Sequence, residues 1–380
     1  MDIQKLYDQA ESSAISKQFL RLPFNAELGQ LEWLRYQRNA VSKDDVNWRA
    51  VISGLFSWLE EGNNELVEQA LKQQVIPEAY ELDRLVLELL LGMNRDIQPN
   101  EMSPMVLVTN IANVQNDLAM ERQEVALLQM DAIQKQYAEI RLLNSFVAEE
   151  GSHREGWENR PLPRNARDLL DNSVPTMPIF KDVLDQAAEY AVETGSDLIV
   201  YSNSDIIISP IVIELIRSVY KRGYECQGYS RTDIRYKDFR NMANWVGLHL
   251  SGTDLFVISV DWWKRNRGIF EDYIMGAYWW DCVFVGQMMV HSRFFYASHI
   301  RGLIFHQIHE ALSNSISPQA SYNLQLRDTK DIGYYDIHTR YCDRLKAFIK
   351  ENRSLPCVAS NEFLLNDKMT QFLRSSLSIS

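Results

Sequence analysis

Three short polar stretches contain side chains that suit the binding of a phosphate, a sugar or a metal ion. They are Thr109-Asn110, Asn144-Ser145 and Asn203-Ser204-Asp205, and each directly follows an apolar run. Residues of these types are also common in turns, so any one stretch alone is explained by turn formation. Three of them, each at the end of an apolar run, indicate a shared site.

The apolar runs predict β-strands, and amphipathic segments between them predict helices. The strand sequences are MVLVTNIAN, AEIRLLNSFVAEE and DLIVYSNSDIIISP; the helices are DLAMERQEVALLQMDAIQKQ and PIFKDVLDQAAEYAVETG, which Gly195 closes. A polar loop, GSHREGWENRPLPRN, precedes the second helix. This alternation is typical of an α/β fold with a mostly parallel sheet flanked by helices. Ligands bind such sheets at the carboxyl ends of the strands, so we expect the three polar stretches to converge.

Turn-forming residues at positions 96–104 mark the clearest domain boundary. Before it, residues 1–98 have apolar side chains at three-to-four spacing, which predicts an all-helical extension. The α/β domain is predicted over residues 104–312, followed by a helical C-terminal extension over residues 313–380. Within the domain, GYECQGYSRTDI, GTDLFVISVDWW and RFFYASHIRGLIFHQIHE predict further strands, and FEDYIMGAYWWDCVFVGQMMVHS predicts a turn and a buried helix.

The composition restricts the class of protein. A formal net charge of −12 argues against a protein whose main surface binds nucleic acid. Residues 220–240 interleave basic and aromatic side chains, but acidic neighbours dilute their charge. The start of the chain lacks a secretory signal and no window has the ~20 apolar residues of a membrane helix, so we expect a cytoplasmic protein. The four cysteines lack C-x-x-C spacing, which predicts reduced thiols.

Four sequence motifs, in this order, resemble those of nucleotide-sugar glycosyltransferases of the GT-A fold. The first is SNSDI, which is similar to the short acidic motif that follows a buried strand in that family, with Asn203 in place of its first aspartate. The others are SGTDLFVISVDWW, FEDYIMGAYWWDCVF and RGLIFHQIHE. The resemblance covers residues 104–312 and implies a Rossmann-like GT-A domain that transfers a sugar from a nucleoside-diphosphate donor.

The resemblance implies roles for several charged residues. Asp205 would bind a divalent cation, Mn²⁺ or Mg²⁺, on the donor diphosphate, and His306 and His309 would complete its ligand set. His306 is the preferred ligand because residues three apart point to opposite faces of a strand, and His309 would then meet a phosphate or be solvated. Asp281 would be the catalytic base of an inverting displacement. A reaction that retains the anomeric configuration would need no base there.

The remaining candidates belong to a donor side and an acceptor side of the site. The nucleotide-sugar-binding candidates are Thr109, Asn110, Ser145, Lys181, Asn203 and Ser204. The acceptor-binding candidates are Asp254, Trp279 and Trp280. The indole rings of the two tryptophans would support a sugar ring.

A purely structural role is the alternative for most of these residues. Asp281 would serve equally as a helix cap, and the polar residues after the strands as turn formers. Lys181 and Arg164 would be solvated surface residues, and tryptophans pack more often in a core. We expect one member of each adjacent tryptophan pair, 262–263 and 279–280, to be accessible. Asp205, in contrast, lies too early to cap a helix near Pro210.

The sequence therefore predicts a metal-dependent glycosyltransferase whose donor is a nucleoside-diphosphate sugar. It leaves open the acceptor, which would be a glycan, a small molecule or a modified nucleic acid, and the oligomeric state. A catalytically inactive GT-A-like binding or scaffold protein is one alternative, because the neutral Asn203 weakens metal binding. A nucleotidyltransferase is another, although TNIANVQNDLAMERQ lacks the glycine-rich basic phosphate loop of that class.

Overall fold

The structure, a computed structural model, describes residues 103–237, 245–249, 252–298, 303–309 and 317–352. The predicted helical region of residues 1–98 and the chain after residue 352 lie outside the described residues.

The described part of the chain alternates strands and helices. Its strands are β1 Met105–Thr109, β2 Ile140–Val147, β3 Glu158–Leu162, β4 Leu198–Ser202, β5 Ile206–Ile208, β6 Cys226–Tyr229, β7 Thr232–Ile234, β8 Trp245–Leu248, β9 Leu255–Ser259, β10 Phe295–Ser298 and β11 Ile304–Gln307. Its α-helices are α1 Asp117–Gln136, α2 Ala166–Leu169, α3 Phe180–Thr194, α4 Ile211–Lys221, α5 Val260–Asn266, α6 Trp280–His291, α7 Pro318–Lys330 and α8 Tyr334–Asn352.

The larger sheet has seven strands in the order β10-β6-β9-β4-β1-β2-β3. All neighbouring pairs are parallel except those that include β9, which runs against β4 and β6. β1 and β4 are buried along their whole length because helices cover both faces of the sheet. The fold is thus the predicted α/β type, a Rossmann-like, mostly parallel sheet flanked by helices.

Helix α3 shows how the sequence determines one of these covering layers. Its apolar residues, spaced three or four apart, are buried under the sheet: Phe180, Val183, Leu184, Ala187, Ala188 and Ala191. The helix ends at Gly195, which adopts the left-handed conformation with φ of 66° and whose backbone N–H caps the last turn, as predicted.

A second sheet has four strands in the order β5-β11-β7-β8. β11 runs antiparallel to β5 and parallel to β7. In this register His306 pairs with Ile206 on one side and with Asp233 on the other. The small sheet therefore brings three distant parts of the sequence into contact.

Two local predictions were wrong. The polar loop after β2 contains a strand, β3, which pairs in parallel with β2 at the edge of the sheet. Its sequence ENRPL is mostly polar because an edge strand is only partly covered. The second error concerns Trp262 and Trp263. Both are buried, at 1% and 2% exposure, because they lie on helix α5, where the strand alternation does not apply.

The two helices that end the described chain are attached to the α/β domain. Asn323 of α7 is fully buried, accepts a hydrogen bond from Ile274 N (2.9 Å) and donates to the carbonyls of Ile274 (2.8 Å) and Tyr278 (3.1 Å). Helix α8 packs directly on α6. The segment that leads into α6 is therefore held in place from the C-terminal side.

Two further expectations from the sequence concern the cysteines and membrane-spanning helices. Cys226, Cys282 and Cys342 are free thiols, as predicted, and Cys357 lies outside the described part. Within that part, no helix has both the length and the apolar character needed to cross a bilayer.

Gly286 determines how closely α6 and α8 approach each other, which leads to a stability prediction. A Cβ atom added at Gly286 would lie 2.1 Å from the carbonyl oxygen of Tyr334. We expect Gly286→Ala to lower the free energy of unfolding by about 1–3 kcal/mol, because backbone atoms must move to admit it. Urea denaturation measures the change.

Gly268→Ala is the matched control, because nothing lies within 4 Å of a Cβ at that exposed position. It should change stability by no more than about 0.5 kcal/mol. Equal stability of the two variants would contradict the close helix contact.

Candidate functional site

Asp205 lies in the tight turn between β4 and β5. The turn is closed by a hydrogen bond from Ile206 N to Asn203 O (3.2 Å). The Asn203 side chain faces back toward β4, where its Oδ1 accepts a hydrogen bond from the Tyr201 hydroxyl (2.7 Å). The Asp205 carboxylate, 30% exposed, faces the small sheet instead. The two residues of the acidic motif thus have different surroundings.

Two histidines meet the Asp205 carboxylate. The Nε2 atoms of His306 and His309 each lie 3.4 Å from Asp205 Oδ2, and 3.2 Å from each other. His306 is on β11, whereas His309 follows the strand, which ends at Gln307. The expectation that the two imidazoles point to opposite faces of a strand was therefore wrong, because the alternation stops before residue 309.

The three side chains fit a bound metal ion. Ligand bonds of about 2.0–2.2 Å place neighbouring ligand atoms about 3.0–3.5 Å apart around a tetrahedral or octahedral ion. The contacts of 3.2–3.4 Å observed here match that spacing. They are longer than the ~2.7–2.9 Å of a charge-assisted hydrogen bond. Among the described residues, these three side chains form a group of potential metal ligands whose donor atoms all lie within 4.8 Å of one another.

The charges at the cluster are strongly coupled. Burial by itself would raise the pKa of Asp205, but the neighbouring imidazoles of His306 and His309 hold it well below its usual range. Burial would likewise lower the pKa of His306, and contacts with the carboxylates of Asp205 and Asp233 raise it instead. Asp205 is therefore ionised at neutral pH, which is the form that binds a cation.

A chain of ion pairs leads from the cluster to a second carboxylate, Asp254. The Nδ1 atom of His306 lies 3.5 Å from Asp233 Oδ1. Arg231 donates from Nε to the same Asp233 oxygen (2.9 Å) and from Nη1 to Asp254 Oδ1 (2.8 Å). His249 Nδ1 is 3.9 Å from the other oxygen of Asp233. Asp254 Oδ2 is buried and has no hydrogen-bond partner within the described residues.

Asp281 lies in the first turn of α6, beside the second carboxylate. Burial, with a smaller contribution from the charge of Asp254, raises the pKa of Asp281 to about 6, although the Cys282 backbone N–H favours its ionised form. A Cβ added at Gly252 would lie 3.1 Å from His249 Nε2 and 3.9 Å from Asp281 Oδ2, so both side chains face this backbone position. The site thus has one carboxyl group that titrates near neutral pH.

Trp279 precedes α6 in a strained backbone conformation. Its φ is 78°, and within the described residues no other non-glycine residue has a positive φ. Such a conformation is unfavourable for a large side chain and persists only when its surroundings enforce it. The guanidinium of Arg327 lies over the Trp279 ring at 5.0 Å. Trp279 is half-buried, whereas Trp280 is buried against Tyr201 and Phe256, in agreement with the expectation for this pair.

Among the donor-side candidates, Asn110 follows β1, but Thr109 is the last residue of β1 and Ser145 lies within β2, which continues to Val147. Asn110 Nδ2 donates to Ser145 O (2.7 Å), which joins the two strand ends. The hydroxyls of Thr109 and Ser145 are buried and make no hydrogen bond within the described residues. Ser204 donates to Gln123 Oε1 (2.9 Å), which ties the turn of Asp205 to helix α1. Thr109 and Ser145 are fully buried, so their nucleotide-binding role stays a prediction.

Two basic candidates have other partners. Lys181 Nζ donates to the carbonyl oxygen of Phe270 (2.8 Å), and no described contact joins it to the Asp205 cluster. Arg164 forms ion pairs with Asp182 and Asp272, at 2.7 Å each. Their phosphate-binding role stays a prediction.

Sequence reasoning missed four residues that connect the parts of the site, namely Tyr201, Gln123, Arg231 and Asp233. Tyr201 resembles any core aromatic in its strand, and Gln123 any polar residue on a helix. Arg231 and Asp233 are separated by one residue, which in a strand places both on the same face. That spacing was the available signal for a local ion pair.

Fold and site together define an α/β protein with a group of three side chains that can hold a metal ion. No protein-family model matches the chain, and no curated protein matches it. Among solved structures, 4-diphosphocytidyl-2C-methyl-D-erythritol synthase from Anaerococcus prevotii aligns over 59% of this chain and 99% of its own. The identity is 8% and the TM-score 0.26, which is too low to define a shared fold.

Metal binding by the Asp205 cluster can be measured directly. We expect the protein to bind Mn²⁺ and His306→Ala and His309→Ala each to weaken binding by about tenfold or more, because each removes one ligand of three. Electron paramagnetic resonance of free Mn²⁺ gives the affinity. His153→Ala is the control, since His153 is exposed and contacts Phe146. Equal binding by all the variants would refute the site.

The raised pKa of Asp281 predicts an unusual dependence of stability on pH. The native state holds the proton of Asp281 up to about pH 6, and the unfolded chain releases it near 3.8. The ionised group therefore destabilises the native state increasingly as pH rises from about 4 to above 6. At pH 8, Asp281→Asn should raise the free energy of unfolding by up to about 3 kcal/mol, at 1.36 kcal/mol per unit. Near pH 4 the gain should vanish.

Thermal or urea unfolding at the two pH values tests this prediction. Asp182→Asn is the control of opposite sign, because Asp182 is buried and paired with Arg164, so its neutralisation should destabilise the protein at pH 8. A loss of stability in Asp281→Asn at both pH values would indicate a purely structural cap.

Proposed function

We propose that the protein is a metal-dependent glycosyltransferase that takes a sugar from a nucleoside-diphosphate donor. The observation that carries the proposal is the arrangement of Asp205, His306 and His309 next to a second, separate pair of carboxyl groups, Asp254 and Asp281. One part of the site suits a metal-bound diphosphate and the other suits an acceptor hydroxyl. A sugar transfer needs both parts.

The donor side accounts for the leaving group. A bound cation would stabilise the negative charge that develops on the diphosphate as the bond to the sugar breaks. Asp205, His306 and His309 would hold that cation. Asn110, which is half-buried at the end of β1, would lie on the nucleoside side, because ligands of parallel sheets bind at such strand ends.

The acceptor side accounts for the attacking group. A general base works best when its pKa lies near the working pH, because it is then ionised and still accepts a proton readily. Asp281, with a pKa of about 6, meets this requirement at pH 7. Asp254 is paired with Arg231 through one oxygen, and its charge contributes to the raised pKa of Asp281. The half-buried face of Trp279 would support an acceptor ring.

The ligand types indicate which metal is used. Imidazole nitrogen suits first-row transition metals, whereas Mg²⁺ prefers sites made of oxygen atoms alone. Two of the three ligands are imidazoles, so we favour Mn²⁺ over Mg²⁺. The two imidazole ligands also offset the lack of an aspartate at position 203. The side-chain oxygen of Asn203 accepts a hydrogen bond from the Tyr201 hydroxyl instead.

The proposal is tested by incubating the protein with a panel of nucleoside-diphosphate sugars and Mn²⁺ and measuring the nucleoside diphosphate released to water. We expect release from one class of donor, a rate that rises with pH through about 6, and a loss of about 100-fold or more in Asp205→Asn and Asp281→Asn. Asp185→Asn is the control, because Asp185 pairs with Arg267 and Trp263.

Other outcomes would assign other functions. No release from any donor, combined with no thermal shift on adding nucleotides, would favour a binding or scaffold protein. Release of pyrophosphate from a nucleoside triphosphate would favour a nucleotidyltransferase. If Asp281→Asn releases nucleoside diphosphate as fast as the unsubstituted protein does, Asp281 is not the catalytic base. The proposed role of the donor side would be unaffected by that result.

A further inference from the structure

The imidazole of His306 lies between two carboxylates, and only one of them belongs to the candidate metal site. Its Nε2 faces Asp205 Oδ2 at 3.4 Å, and its Nδ1 faces Asp233 Oδ1 at 3.5 Å. The residue is 8% exposed. Its Nδ1 is buried and makes no hydrogen bond within the described residues, so Asp233 is the acceptor next to it.

Asp233 itself is held firmly. Its Oδ1 accepts a hydrogen bond from Arg231 Nε at 2.9 Å, and the register of β7 against β11 places it directly beside His306. Arg231 is in turn bound to Asp254 by its Nη1 atom at 2.8 Å. One guanidinium therefore joins the carboxylate behind His306 to the carboxylate on the acceptor side.

We propose that Asp233 is a positioning residue, which accepts the Nδ1 proton of His306 and so directs its Nε2 to the metal, and that Arg231 holds Asp233 in place for this task. A metal-binding histidine needs its other nitrogen fixed, because the hydrogen bond there determines the tautomer and the orientation of the ring. Asp233 is the carboxylate that the fold supplies for this purpose. The inference rests on the proposed function, since it concerns the same metal.

A positioning role for Asp233 and a purely structural ion pair with Arg231 lead to different expected results. If Asp233 served only to pair with Arg231, its replacement by asparagine would change stability and leave metal binding unchanged. If it positions His306, the same replacement weakens metal binding, because the amide group can present its own N–H to Nδ1 and favour the wrong tautomer. The two roles therefore differ in a measurement that does not require a known acceptor.

The first experiment compares Mn²⁺ affinities by electron paramagnetic resonance in the unsubstituted protein, Asp233→Asn and Asp185→Asn. We expect Asp233→Asn to weaken binding by about 10- to 100-fold, the usual effect of losing a residue that orients a metal ligand. Asp185 matches Asp233 in side-chain exposure, 19% against 20%, and in its arginine partner, but belongs to another part of the molecule. Asp185→Asn should bind Mn²⁺ within about threefold of the unsubstituted protein.

The second experiment reads the tautomer of His306 directly. Long-range proton–nitrogen NMR spectra of ¹⁵N-histidine-labelled protein with Zn²⁺, assigned with His306→Ala, should show a protonated Nδ1 and a metal-bound Nε2. Asp233→Asn should lose this pattern, and Asp233→Glu should restore it in part. Should Asp233→Asn fail to fold, Arg231→Lys takes its place, since lysine cannot contact both carboxylates at once and should weaken Mn²⁺ binding in the same direction.

The outcomes separate this inference from the function on which it rests. Unchanged Mn²⁺ affinity in a folded Asp233→Asn, or metal bound through Nδ1, would overturn the positioning role alone. Absence of Mn²⁺ binding in the unsubstituted protein would overturn the metal site and the positioning role together.

Discussion

The pairing of β11 between β5 and β7 is the constraint on which the rest of the site depends. It places His306 opposite Ile206, and hence beside Asp205, and opposite Asp233 on the other side. Because side chains alternate along a strand, a shift of one residue would turn His306 to the other face and separate these groups. The apolar residues Ile207, Ile234 and Phe305, one from each of these strands, form a small buried cluster with Ala126 of α1. Burial of that cluster resists such a shift.

Two carboxyl groups of the site have opposite electrostatic surroundings. Contact with two imidazoles lowers the pKa of Asp205, whereas burial beside another carboxylate raises that of Asp281. Pairs of titratable groups whose pKa values are driven apart are typical of sites that need one permanent charge and one proton carrier. Burial raises the pKa of the Tyr201 hydroxyl, and the charges of Asp205, Asp254 and Asp281 raise it further. Tyr201 therefore lies within electrostatic range of both parts of the site.

The sequence predicted the interior of the fold better than its edges. Strands β1, β2 and β4 were predicted because strands covered on both faces are nearly continuous apolar runs. β3 was missed because its ENRPL sequence lies at the edge of the sheet, where polar side chains are allowed. In the site, Asp205 and the histidines were singled out by type and order along the chain. Arg231 and Asp233 were not, because their importance comes from the pairing of β7 with β11, which no local pattern encodes.

The attachment of α7 bears on how the molecule can be divided. Asn323 satisfies the amide of Ile274 and the carbonyls of Ile274 and Tyr278, all in the segment that leads to Trp279 and α6. A chain that stopped after β11 would lose these three hydrogen bonds, each of which contributes about 0.5–1.5 kcal/mol. It would also remove the Arg327 side chain that lies over Trp279. The smallest fragment able to keep an ordered acceptor side therefore extends through α7, well past the last strand.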